Sequence, residues 1–157
     1  MKRSTTLVLI IVALISSCVT QNEGAISNNS LPPLIGTWKL IEAIVIDKGD
    51  TTTTDYTQKV SFIKIINDSH FAFLQHDLNN GKDSTAVVFT SGGGSYSLKD
   101  TLYTEHLEYC SDREWEGNDF IFGIKIKNDT LVQSGIEKIE SAGVNRLNIE
   151  KYVRVKQ

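Results

Sequence analysis

Residues 120–132, FIFGIKIKNDTLV, place Phe120, Phe122, Ile124 and Ile126 on one parity and Ile121, Gly123, Lys125 and Lys127 on the other, before Asn128-Asp129. A period of two with lysines on one side marks a strand with one face buried, and Asn-Asp is turn chemistry, so the stretch predicts a β-hairpin into Thr130-Leu131-Val132. The same grammar extends in both directions. Residues 60–66, VSFIKII, lead into Asn67-Asp68-Ser69, and His70 to Leu74 lead out. Trp38, Leu40, Ile44 and Ile46 share a parity in the first strand, with Ile41 and Val45 blurring the second face. Further strands are predicted at Thr85 to Thr90, Ser95 to Leu98, Leu102 to Tyr109 and Leu147 to Lys156, with turns at Asn79-Asn80-Gly81 and Lys99-Asp100. Gly92-Gly93-Gly94 has no lysine or helix around it to make a phosphate loop, and predicts a bulge or a barrel corner. Ile136, Ile139 and Ala142 have helical spacing, but Gly135 and Gly143 enclose only seven residues, so a loop or a single turn is expected there.

About nine strand candidates in the 122 residues from Gly36 onward predict an all-β domain, a closed barrel or a sandwich. Closure removes the exposed edges that would make so many β-branched strands prone to aggregate. Asn67-Asp68-Ser69 and Asn128-Asp129-Thr130 also match the glycosylation sequon, but both sit where a hairpin needs its turn.

The first eighteen residues, MKRSTTLVLIIVALISSC, have cations at Lys2 and Arg3, a nine-residue apolar run from Leu7 to Ile15, and the small pair Ser16-Ser17. This is the build of a secretory signal, at about half the ~20 residues a spanning helix needs. Ile15-Ser16-Ser17-Cys18 resembles the bacterial lipobox. That resemblance implies cleavage before Cys18, acylation of the cysteine with fatty-acyl chains such as palmitate, and anchoring in a membrane. Val19 stands where an inner-membrane retention aspartate would be, so a Gram-negative outer membrane is expected, on its periplasmic or its surface face. Residues 1–17 are then a signal peptide, 18–33 a lipidated flexible tether closed by Pro32-Pro33, and 34–157 the folded domain.

The chain's net charge of −3 becomes −5 once Lys2 and Arg3 leave with the signal, which disfavours a nucleic-acid partner held by phosphate contacts. With Cys18 acylated, Cys110 has no intramolecular disulfide partner, and with Glu108 and Asp112 beside it this thiol is expected to be unreactive.

Gly36-Thr37-Trp38 at the start of the first strand and Tyr152-Val153-Arg154 near the end of the last resemble the G-x-W and terminal-strand arginine of the lipocalin-like, or calycin, barrels. Residues 94–122 also resemble uncharacterised lipocalin-like domains of bacterial lipoproteins. The resemblance implies a small antiparallel up-and-down barrel of about eight to ten strands, in which Gly36, Trp38 and Arg154 close the base and the arginine lies over the indole. The disulfide and long C-terminal helix of other lipocalins are absent from the sequence, so a vertebrate-type transport role is not carried across.

Alternate residues of such a barrel face a lumen with room for side chains or one small ligand. Tyr103, Leu107 and Tyr109 share parity with Glu105, so one carboxylate sits on a mainly apolar face. If that face is inward, Glu105 needs a partner, and Arg154, Tyr96 or a ligand is a candidate; a structural ion pair or an outward face is the alternative. Tyr96, Tyr103, Glu105 and Phe122 are the expected ligand contacts. His70 and His76 would stand roughly 20 Å apart on one strand, too far to share a metal, and His106 and Cys110 are likewise separated. No serine lies in G-x-S-x-G and no acid and base pair is placed by spacing, so neither catalytic residue, metal nor cofactor is assigned. The expected function is non-enzymatic binding of a small apolar or amphipathic molecule in the cell envelope. The alternative is a filled barrel that binds an envelope protein or polysaccharide through the region from Tyr109 to Gly117, which contains Trp115.

Overall fold

A computed structural model describes residues 33–82 and 87–156; the expected signal peptide, Cys18 and all but Pro33 of the expected tether lie outside them. Nine strands follow one another: β1 (Gly36–Asp47), β2 (Asp50–Asp55), β3 (Val60–Ile66), β4 (His70–Asp77), β5 (Phe89–Lys99), β6 (Leu102–Cys110), β7 (Asn118–Lys127), β8 (Thr130–Ile139) and β9 (Val144–Arg154). A single 3-10 turn, Arg113–Trp115, interrupts them between β6 and β7. The sheet runs β2-β1-β3-β4-β5-β6-β7-β8-β9, and an additional pairing of β1 with β9 closes it. The result is an eight-stranded antiparallel up-and-down barrel with β2 as an extra strand.

The turn residues act as their chemistry dictates. Asn67 Oδ1 accepts the Ser69 and His70 amides at 2.9 and 2.7 Å, and Asn128 takes a left-handed φ of 53° in the β7–β8 hairpin, so both sequon asparagines are turn residues. Strand β7 alternates as its sequence does, with Phe120, Phe122, Ile124 and Ile126 buried and their neighbours exposed or half-buried.

Three local expectations are corrected and one strand is added. The 136–142 stretch is not a loop: β8 continues to Ile139, with Glu137 inward and Ile136 outward, and only the residues up to Gly143 turn. An acid on the core side and an isoleucine on the water side invert the usual strand pattern, which left helical spacing as the visible signal. The last strand is Val144–Arg154, because the tight 140–143 turn brings it in earlier. The glycine run lies inside one continuous strand, β5, which begins at Phe89; Thr85, the expected start of a strand, is outside the described residues. A register shift between Gly93 and Gly94, the expected bulge, bends it. Finally, Asp50–Asp55, DTTTTD, forms a fully exposed strand that its polar sequence did not announce.

Two bulges reverse the parity of the upper barrel. Between Leu40 and Glu42 the β1–β9 register shifts, so Ala43 is the next buried side chain and Ile44 and Ile46 do not continue the face of Trp38 and Leu40. In β6 the same happens opposite Gly93 and Gly94: Tyr103, Glu105 and Leu107 are buried, but Tyr109 turns outward and is 68% exposed.

The base closes as the terminal motifs implied. Trp38 pairs with Arg154 across β1 and β9, fully buried, with the guanidinium carbon 4.0 Å from the indole centroid. Arg154 donates to the carbonyls of Ile35 at 2.9 Å and Pro33 at 2.6 Å, and the indole N–H donates to Leu34 at 2.8 Å. The chain entering β1 is thereby tied across the barrel floor. Gly36 is required: at φ 144° a Cβ there would lie 2.6 Å from Arg154 Nη1. Among the described residues, the buried apolar side chains lie between Leu34 and Tyr152 and form one core cluster. Arg154→Ala should lower stability by about 2 kcal/mol, through loss of the ring contact and two carbonyl bonds, while the outward Lys127→Ala changes it by less than about 0.5 kcal/mol. Urea unfolding of both variants checks this; equal effects would contradict it.

Candidate functional site

The barrel has two halves. Near the base, Trp38, Leu40, Ile66, Phe71, Tyr103, Leu131 and Tyr152 are packed with almost no exposure. Towards the other end a cavity of about 330 Å³ opens, reaching solvent beside the exposed Thr54 and Asp112. The parity reversals explain why this half is hollow: they direct Ala43, Val45 and Cys110 into the lumen where unbroken alternation would have sent Ile44, Ile46 and Tyr109. Smaller inward side chains leave space that close packing would otherwise remove.

The walls are aromatic on opposite sides. Phe62 on β3 stacks on Phe73 of β4 at 5.6 Å, with Tyr56 edge-on to Phe62 at 6.1 Å. Four strands further round, Phe120 on β7 packs against Trp115 from the 3-10 turn at 5.7 Å. Asp112 caps that turn by accepting the Glu114 amide, which aims Trp115 back over the lumen. Trp115 is therefore a half-buried cavity residue that also carries Arg146 over its ring at 5.4 Å.

The floor of the cavity is polar and buried. Lys64 Nζ lies 2.6 Å from Glu105 Oε1 and 3.2 Å from Gln133 Oε1. Lys64 is 3% exposed and Glu105 6%, so the ion pair spans the lumen from β3 to β6 out of contact with bulk water. The rings of Tyr152, Phe71 and Phe122 surround the ammonium with centroids at 5.4, 5.8 and 6.0 Å. Gln133 passes the network on, donating to Glu150 Oε2 at 2.7 Å, and Tyr152 donates to the same oxygen at 2.7 Å. Nearer the mouth, Glu137 accepts from Arg146 Nε at 2.7 Å and Asn148 Nδ2 at 2.8 Å.

Burial pushes the Glu105 carboxyl above the usual carboxylate range, outweighing the adjacent Lys64 ammonium, which pulls it down. Burial also raises Tyr103 and Tyr152 well above the ordinary tyrosine value, with the carboxylates of Glu105 and Glu150 adding to it. The Tyr103 hydroxyl is buried with no partner in hydrogen-bonding geometry among the described residues. Burial raises the Cys110 thiol too, in keeping with an unreactive cysteine.

Of the expected ligand contacts, Glu105 and Phe122 line the cavity. Tyr103 and Tyr96 do not: their rings meet at 5.2 Å towards the base, where the Tyr96 hydroxyl donates to the carbonyl of Asn67 in the β3–β4 turn. Arg154, offered as a partner for Glu105, is at the base on Trp38, and Lys64 takes that place. Lys64, Gln133, Glu137 and Glu150 were missed, although the signal was present: Lys64 shares the parity of the buried Phe62 and Ile66, and Gln133 and Glu137 that of Leu131 and Ile139. The histidines do not converge: His70 Nδ1 contacts Ser69, and His106 Nδ1 lies 2.8 Å from Asp119 on the outer surface.

No protein-family model matches this chain, and no curated protein matches it.

The raised tyrosines have a measurable consequence. A phenol whose folded pKa exceeds its unfolded value of about 10 stabilises the fold below that pH, and the contribution is lost as pH rises above it. In an alkaline titration followed by tyrosinate absorbance, Tyr103 and Tyr152 should ionise only in one cooperative step that coincides with loss of β circular dichroism. Tyr152→Phe should reduce the amplitude of that step. All five tyrosines titrating near their ordinary value in the folded protein would contradict the placement.

Proposed function

We propose that this chain is a lipid-anchored lipoprotein of the bacterial cell envelope, lipocalin-like in kind, whose barrel binds one small amphipathic molecule without transforming it. The observation that carries the proposal is the composition of the cavity: aromatic walls facing each other across the lumen, above a floor of hydrogen-bonded polar groups. Small-molecule sites combine these parts, an apolar lining for affinity and a few fixed polar groups for orientation. A ligand of modest size would lie between the Phe62 and Phe120 sides with its polar end towards Glu105, Gln133 and Glu150.

The anchor rests on Cys18 and the lipobox-like residues before it, and the absence of an aspartate after it supports an outer-membrane address. Some fifteen tether residues would let the barrel stand up to about 50 Å from the bilayer, so its ligand would be met in the aqueous space and not within the membrane.

Native mass spectrometry of residues 19–157, exported and purified without detergent, tests the binding role. A small-molecule adduct is expected on the unaltered chain and should be lost in Ala43→Trp, which fills the cavity. Bare protein in both cases, after exposure to envelope extracts, would count against a binding role. For the anchor, Cys18→Ala in the full-length protein should move it from the membrane to the soluble fraction, and retention in the membrane would contradict lipidation there.

A further inference from the structure

The charges around the cavity do not balance, and the imbalance has an address. The lining includes four carboxylates, Glu105, Asp112, Glu137 and Glu150, against two cations, Lys64 and Arg146. Both cations are engaged. Lys64 is held by Glu105 and Gln133 and wrapped by three rings, and Arg146 is bonded through Nε to Glu137 while its plane covers Trp115.

Glu150 differs from Glu105 and Glu137 in having no cation. Its Oε2 accepts from Gln133 and Tyr152, both neutral donors, and among the described residues no lysine, arginine or histidine forms an ion pair with it. Its Oε1 has no hydrogen-bond partner among the described residues, and Glu150 is one of the residues that line the cavity. The two neutral donors hold this carboxylate in place, so it presents a fixed negative oxygen to whatever enters. A half-buried carboxylate given only neutral donors is stabilised further by an incoming cation.

We infer that the ligand is an organic cation, an amine carrying an aryl or short apolar body, whose ammonium group docks on Glu150. This rests on the cavity being a binding site. The apolar body would occupy the space between Phe62 with Phe73 and Phe120 with Trp115. Asp112 at the mouth adds attraction for a cation on entry. An anion would meet the opposite situation: among the described residues that line the cavity, Lys64 is already paired with Glu105 and Arg146 with Glu137, and both sit in the field of four carboxylates.

Calorimetric titration of residues 19–157 with 4-phenylbutylamine, 4-phenylbutanol and 4-phenylbutyrate tests this, since the three probes share a body and differ in the charge of the head. The amine is expected to bind at least about tenfold more tightly than the alcohol or the carboxylate. In Glu150→Gln, which keeps a hydrogen-bond acceptor at the same place, the amine should fall to the affinity of the alcohol, with the alcohol itself unchanged. Carboxylate or alcohol binding as tightly as the amine would overturn the inference and leave a cavity-binding protein. An amine preference that survives Glu150→Gln would overturn the role of Glu150. Binding of none of the three would contradict the inference, and only together with bare protein in native mass spectrometry would it also sink the binding role. If Glu150→Gln does not fold, the order of the three probes on the unaltered chain decides.

Discussion

The ion pair between Lys64 and Glu105 is the constraint around which the lumen is organised. Two opposite charges within 2.6 Å and almost wholly buried are tolerable only if each finds further polar partners, because desolvating them is expensive and their mutual attraction alone does not repay it. Gln133 supplies the ammonium with a second acceptor and is itself bonded to Glu150, which also accepts from Tyr152, so the network joins β3, β6, β8 and β9 across the barrel. Below this layer the lumen is filled by Trp38, Leu40, Phe71 and their neighbours; above it the lumen is hollow. The polar layer is thus the roof of a packed base and the floor of a cavity.

Two register shifts make that cavity possible. Each bulge inserts one residue, Ile41 in β1 and Glu108 in β6, and so exchanges the faces of the residues beyond it. Glu108 is fastened outside by the amide and hydroxyl of Ser95, at 3.0 and 2.6 Å, which fixes the second shift in place. A bulge is a small change in backbone with a large change in content, since it decides whether isoleucine and tyrosine or alanine, valine and cysteine face inward.

These facts separate what the sequence makes legible from what it hides. Strand β7 and the hairpin after it can be read directly because burial and polarity alternate with the pleat. Closure was legible as well: Gly36, Trp38 and Arg154 are distant in sequence, and only a sheet curled on itself brings them together. The triple glycine marked one bulge, since a Cβ at Gly93 or Gly94 would press on backbone of the neighbouring strands. Ile41 carries no such mark, and the parity of β1 beyond it was misjudged for that reason. The polar lining was obscured by inverse patterning: Lys64 and Glu137 point inward while Ile65 and Ile136 are 41% and 54% exposed. A lysine or glutamate at a core parity is easily taken for a solvent-facing residue, and only its partner on a distant strand shows otherwise.

If the buried ion pair does hold this lumen in order, its energetics must show the signature of two charges that need each other. Chemical unfolding of Lys64→Met, Glu105→Leu and the double variant tests this most directly. Each single change should destabilise the barrel by about 3–5 kcal/mol, because it strands a buried charge, and the double variant should recover most of that loss. Single changes that cost less than about 1 kcal/mol, or a double variant whose loss is the sum of the two, would show that the floor is not built on this pair.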